Sequence, residues 1–365
     1  MAAIPNQLLE EILSNLPVES LLRFVSVSKR WRSMIRSRHL VEKHMTRHRC
    51  LPRRIIFFAL KERKDDHEYD IYLKSFVREG GDGPALRSYF LSRRFQPPLR
   101  FSGSCDGLVC FNDQISAYVI NPATRELREL PPANFQVNPS DTTPSNPIRT
   151  VVVCRNCHVK EISRTSVGFG RDNITRTYKV VLLYREGNED GYITKCEVFS
   201  LDTALWRRID PPIHGVINPT PKPIYKSGCL YWFAYIYEGP GWKLKVIAFD
   251  LHKESFHMTP NPGFQDHESY KQLNMFNHED RDLKVITVST DPEVRRVWTL
   301  LGHDDKWEDT TEAESSGEGG EEGQRQWWLR QERRDAFLLP GPEFLSLATG
   351  QEVNDYFESL VSVYQ

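Results

Sequence analysis

The spacing of apolar residues changes once along this 365-residue chain, near residue 55, and the change separates a helical head from a strand-rich body. Before it, apolar side chains recur every three or four positions: Leu8, Leu9, Ile12, Leu13 and Leu16, then Val18, Leu21, Leu22 and Val25, then Val27, Trp31, Met34 and Ile35. A helix returns to one face every 3.6 residues, so the pattern predicts three short helices. Pro17 ends the first and suits the opening turn of the second, while Ser26 or Ser28 offers a hydroxyl to cap the third. Helices this short are marginal alone, and a module of roughly 40 residues buries too little surface to be secure. Its first two helices carry more apolar surface than three helices consume, so part of it is expected to form an interface.

From about Ile55 the apolar residues gather into short runs: 55–60, 71–76, 108–111, 118–120, 151–153, 178–184, 196–201, 230–236 and 244–251. Gly, Pro, Asn and Asp break them, as expected of strands joined by tight turns. No crossover helix is apparent between them, which disfavours a parallel α/β sheet. A repeat emerges when strand ends are aligned: residues 119–132, 199–212 and 248–260 each read as a strand, an Asn/Asp turn and a second strand ending at proline. Gly107 precedes the first copy and Gly228 the third, each followed by an apolar run. Asp202 and Asp250 lie at the roughly 40 to 50 residue period of a propeller blade. The expected fold is therefore α+β and multidomain, a three-helix head followed by an all-β, β-propeller-like domain whose face loops meet a partner.

Composition narrows the setting. No apolar run approaches the ~18 residues that would suggest a membrane span, and residues 1–7 lead into a charged amphipathic segment rather than a signal core. The seven cysteines are scattered, which suits a reducing compartment, cytoplasmic or nuclear or both. The sequon at Asn173 is then expected to be unused. Residues 1–54 hold 11 Lys/Arg against 4 Glu, whereas 304–323 hold 9 Asp/Glu against Lys306 alone. The basic stretch (Arg30, Arg32, Arg36, Arg38, Lys43, Arg47, Arg49, Arg53, Arg54) lacks interleaved stacking aromatics, so it reads as a solvated helix face and linker rather than a nucleic-acid surface. The acidic segment, rich in Glu, Gly and Ser, reads as a disordered insertion over 304–326.

Catalytic and metal motifs fare poorly. Cys154, Cys157 and His158 have the spacing of a haem attachment or half a zinc site, but no second ligand pair accompanies them. Gly168-Phe169-Gly170 lacks the third glycine and following helix of a dinucleotide site and reads as a turn. His39, His44 and His48 have no carboxylate or cysteine placed to complete a metal set. Neither a nucleophile elbow nor a phosphate loop is present. No catalytic residue, metal or other cofactor is expected, nor a nucleic-acid or membrane partner.

Two resemblances sharpen this reading. Residues 4–31 resemble an F-box from end to end: Pro5, Glu11-Ile12-Leu13, Leu16-Pro17, Ser20-Leu21, Arg23-Phe24 and Val27-Ser28-Lys29 before Trp31, departing at Ile4 and Ser28 where leucine and cysteine are usual. The resemblance implies docking on a Skp-type adaptor and through it a cullin, with Pro5, Leu8, Ile12, Leu13, Leu16, Pro17 and Leu21 on the adaptor face. Leu22, Val25, Val27, Trp31 and Ile35 would hold the helices together. Residues 104–110, 121–125, 167–172, 178–181 and 228–232 resemble the F-box-associated interaction domain common in plants, kelch-like in character, with 297–300 and 359–364 as its final strands. The implied layout is an F-box over 1–50, a linker and first strands over 51–100, and the associated domain over 101–365. The implied role is the non-catalytic substrate receptor of a ubiquitin ligase, acting on an unknown protein. The alternative is a free-standing propeller that binds protein, carbohydrate or metabolite, its helical head serving dimerisation or targeting.

Overall fold

The computed structural model describes residues 5–48, 54–62, 69–77, 87–91, 95, 99–113, 116–134, 149–152, 160–163, 165–188, 191–209, 215–217, 222–238, 241–260, 262–263, 270–278, 282–289, 295–301, 306–311, 354–356 and 358–364. The head contains α1 (Asn6–Ser14), α2 (Val18–Phe24), α3 (Lys29–Ile35) and a fourth helix, α4 (Arg38–His48). Pro17 stands at the N-cap of α2, and the Ser28 hydroxyl accepts from the Trp31 amide at 3.1 Å to cap α3. The basic stretch thus continues into an ordered helix in which Leu40, Val41, His44 and Met45 are buried. Leu9, Leu13, Leu21, Ile35 and Leu40 form the head core, flanked by Phe24 and Trp31, whose rings meet edge to face.

The described strands of the body form antiparallel sheets, and among the described residues no crossover helix joins them. In chain order the strands are β1 (Arg54–Glu62), β2 (Tyr69–Val77) and β3 (Arg87–Leu91); β4 (Arg100–Cys105), β5 (Leu108–Asn112), β6 (Ala117–Asn121) and β7 (Glu126–Glu129); and a ribbon of β8 (Arg149–Val152) and β9 (Lys160–Ser163). A third sheet comprises β10 (Thr165–Arg171), β11 (Tyr178–Asn188), β12 (Gly191–Ser200) and β13 (Leu205–Ile209). The next has β14 (Gly215–Ile217), β15 (Ile224–Lys226), β16 (Cys229–Glu238), β17 (Gly241–Asp250) and β18 (Ser255–Met258). The last has β19 (Tyr270–His278), β20 (Asp282–Ser289), β21 (Arg295–Leu301) and β22 (Lys306–Asp309). Finally β23 (Asn354–Tyr356) returns from the far end of the sequence to pair with β1, placing Ile55 opposite Asp355.

The chain divides into two compact units. One holds the head, β1–β7 and the C-terminal residues, the other β8–β22. In the first, Ile56, Phe58, Ile71 and Leu73 pack against Phe101, Val109, Phe111 and Ile120. In the second, alternate residues of β16 face opposite ways. Leu230, Trp232, Ala234 and Ile236 join β11 and β12, whereas Tyr231 and Phe233 join β20 and β21. A sheet covered on both faces needs apolar residues at every position of its central strands, which is why β16 and β17 read as continuous runs.

The repeat is real, but its middle copy turns two residues earlier than a match of Asp202 with Asp250 implies. Asn121 opposes Glu126, Ser200 opposes Leu205 and Asp250 opposes Ser255, so Ser200, and not Asp202, corresponds to Asp250. Each four-residue loop ends on a left-handed residue: Arg125, Ala204 and Glu254 have φ of 62°, 58° and 52°. The carboxamide oxygen of Asn121 accepts from the amides of Ala123 and Thr124, and Asp250 does the same for His252 and Lys253. The glycines preceding β5 and β16 complete two-residue hairpins with φ positive at both positions, Asp106-Gly107 and Ser227-Gly228.

Three expectations are corrected. Gly168-Phe169-Gly170 lies within β10 and is not a turn: a Cβ on Gly168 would press on the Trp232 ring, and one on Gly170 on the Tyr225 ring. Lys306–Asp309, inside the stretch read as disordered, is β22, with Trp307 buried and its indole N–H donating to Thr259 at 3.3 Å. Residues 312–326 lie outside the described residues. Residues 359–364 are not a strand, because their carbonyls are taken by side chains: Asn121 Nδ2 donates to Ser359 and Val361, and Arg128 to Val363.

Candidate adaptor-docking surface

Helix α1 carries two apolar stripes. Leu9 and Leu13, one turn apart, point into the head core. Leu8 and Ile12, also one turn apart, stand outward at 54% and 46% exposure, with exposed Pro5 one turn before them. Pro17 is also exposed, and Leu16 is half-buried against the core. Leu13 and Leu21, placed on the adaptor face by resemblance, are instead fully buried and hold the helices together. Val27 makes the reverse move: assigned to internal packing, it is 59% exposed. Of the other residues assigned to packing, Ile35 is buried, and Leu22, Val25 and Trp31 are half-buried.

The polar residues of α1 are spent on α4. Glu11 pairs with Lys43 at 2.5 Å and with Arg47, and hydrogen bonds from these two cations hold its carboxyl down at about 2. Glu10 meets His39 at 2.8 Å. Asn6 accepts from Arg30 Nε at 3.0 Å, tying the start of α1 to α3. These contacts orient α1 with its Leu8–Ile12 stripe outward. His44, read as part of a solvated face, is buried. Its Nε2 donates to the Leu16 carbonyl at 2.9 Å, its ring stacks on His48 at 3.9 Å, and burial lowers its pKa to about 4. Sequence reasoning missed this because a histidine amid Arg and Lys carries no local sign of burial.

Elsewhere the polar clusters link strands. The Lys179 ammonium lies between Asp172 at 3.3 Å and Glu254 at 2.9 Å and donates to the Leu251 carbonyl. Burial alone would raise the Asp172 pKa, but hydrogen bonds from Thr175, Ile174 and His252 hold it well below the usual range. Glu197 accepts from Asn134 and from the Tyr184 hydroxyl, the latter at 3.0 Å. Cys154, Cys157 and His158 lie outside the described residues. Burial lifts the Cys110 thiol to about 12 and the Cys196 thiol further, so neither forms a thiolate near neutral pH. Among the described residues no group of three or more His, Cys, Asp or Glu is placed to hold a metal, and no helix is long and apolar enough to cross a membrane.

The comparisons with known proteins fit this architecture. Residues 85–313 match the F-box associated beta propeller domain and residues 2–43 the F-box domain. The chain belongs to the F-box proteins that carry an F-box-associated β-propeller domain. Among its relatives in Arabidopsis thaliana, an F-box protein is 31% identical over 84% of this chain and 66% of its own length. An F-box/kelch-repeat protein is 30% identical over 84% and 71%, and a further F-box protein 31% identical over 77% and 74%. The chain thus spans about two thirds of the length of the first of these. A solved structure, a GH74 xyloglucanase from Xanthomonas campestris, aligns over 69% of this chain and 36% of its own at a TM-score of 0.37 and 11% identity, too distant to inform the reading.

Proposed function

We propose that the protein is the non-catalytic substrate receptor of a Skp-cullin-F-box ubiquitin ligase, its head docking on a Skp-type adaptor and its β domain holding a target protein. The observation that carries this reading is the outward stripe of Leu8 and Ile12 on a helix whose opposite stripe is already buried. Covering an aliphatic side chain fully contributes about 1.5–3 kcal/mol, so half-exposed Leu8 and Ile12 hold enough unused burial to anchor a partner helix. Pro5, Leu16 and Pro17 complete the proposed contact. Leu13 and Leu21 support it from beneath by holding α1 and α2 in place. The complex accelerates ubiquitin transfer by raising the target's effective concentration at the donor.

The test is a pull-down of the full chain on a Skp-type adaptor. Leu8→Asp and Ile12→Asp should each weaken capture about 100-fold or more, as for central interface anchors, with unchanged helical circular dichroism. Leu13→Asp serves as the unfolding control. Undiminished capture of the doubly substituted Leu8→Asp/Ile12→Asp chain, or no capture of folded wild type, overturns the reading. Self-association of the wild type through the same stripe would point to the dimerisation head.

A further inference from the structure

A head of this size lacks enough core to be secure, and the structure supplies part of the deficit from the other end of the sequence. Leu360 packs against the head core formed by Leu9, Leu13, Leu21, Ile35 and Leu40. Glu358 pairs with Arg87 of β3, and the same guanidinium reaches Glu19 of α2 at 3.0 Å. The segment bearing these contacts is fastened on its other side to the β6–β7 hairpin. Asn121 Nδ2 donates to the Ser359 and Val361 carbonyls at 3.0 and 2.7 Å, Arg128 donates to Val363 at 3.1 Å, and the Tyr364 hydroxyl donates to Leu127 at 3.0 Å. Ser359, Val361 and Val363 are buried. Only five residues separate the end of α4 at His48 from the start of β1 at Arg54.

We propose that residues 358–364 are an intramolecular strap that holds the helical head on the first two sheets and keeps it folded and oriented before any partner binds. Asn121 is its buckle: the Oδ1 atom organises the hairpin loop while Nδ2 grips the strap, so one side chain couples the turn to the head. A strap of this kind makes the head and these sheets one lever arm. Its value for presenting a target rests on the receptor reading, whereas the strap itself does not.

Hydrogen exchange of the full-length chain tests it with two substitutions. Asn121→Asp keeps the loop acceptor but turns a carboxylate oxygen toward two carbonyls, releasing the strap without touching the head. Leu360→Ser leaves the buckle intact and removes the head contact. Both should speed exchange in α1 and α2 at least about tenfold, the equivalent of one lost buried contact, while β5 and β6 stay protected in Leu360→Ser. Unchanged head exchange in either variant overturns the proposal. Adaptor capture distinguishes this failure from that of the receptor reading: Leu360→Ser retains the Leu8–Ile12 stripe and should still be captured wherever the wild type is.

Discussion

Leu8 and Leu9 are chemically identical neighbours, yet one stands outward and the other is buried, and the heptad-like spacing alone shows two stripes without saying which is inward. The family resemblance placed Leu13 and Leu21 on the outer face. The packing of α4 against α1 decides otherwise, through Lys43 and Arg47 on Glu11, contacts more than 30 residues apart in sequence. The same non-locality hid the reason for Gly168 and Gly170, which lies in Trp232 and Tyr225. His44 yields a prediction at this scale. Folded, it holds out against protonation until about pH 4, whereas the unfolded chain titrates near 6.5. Below that value the unfolded state takes up a proton the folded head refuses, so head stability falls as pH drops from 6.5 toward 4. At about 1.4 kcal/mol per unit the full loss is on the order of 3 kcal/mol. Urea midpoints of the head helices by hydrogen exchange at pH 7 and pH 5 should differ in the wild type. In His44→Gln, which keeps a donor for the Leu16 carbonyl without titrating, most of that difference should vanish. An equal pH effect in both would place the sensitivity elsewhere.

The elements most legible in the sequence are the central strands, because burial on both faces writes them as unbroken apolar runs: β5, β11, β16 and β17 were all visible. Edge strands such as β13 and β18 have mostly half-buried or exposed residues, and were found through the repeat of hairpin loops rather than through hydropathy. Edge strands β3, β10 and β22, lacking such a marker, were not identified as strands. The loops themselves carry a stability prediction. Ala204, exposed and with φ of 58°, pays the left-handed cost of an L-residue with no side-chain contact described in return. Glycine removes that cost of about 1–2 kcal/mol and adds unfolded-chain entropy, leaving Ala204→Gly more stable by about 0.5–1 kcal/mol. Denaturant melts followed by tryptophan fluorescence should show a higher midpoint with an unchanged slope. A lower midpoint would mean that the loop relaxes in solution out of the left-handed geometry.

At the scale of the whole molecule, a succession of antiparallel sheets could be read from strand content and repeat, but the return of the chain end could not. β23 is three residues of low apolar content, Asn354-Asp355-Tyr356, and nothing local marks it as the partner of a strand three hundred residues earlier. The family resemblance placed the final strand at residues 359–364 instead. Pairing of β23 with β1 closes a loop of nearly the full chain, and such a long closure costs only slightly more entropy than a moderate one, so a short ladder is able to sustain it. This makes the ladder testable. Along an antiparallel edge strand, successive N–H groups alternate between facing the neighbour and facing away. Proline at both Asp355 and Tyr356 therefore removes whichever donor faces β1. The double substitution should lower the opening free energy of β1 and β2 by about 2–3 kcal/mol, seen as faster amide exchange there. Exchange in β11, β16 and β17, which belong to the other compact unit, should hold. If those strands lose protection by the same factor, the two units unfold as one cooperative body and the chain-end ladder stabilises the entire β domain; loss confined to the first unit makes the ladder a local clasp beside the strap.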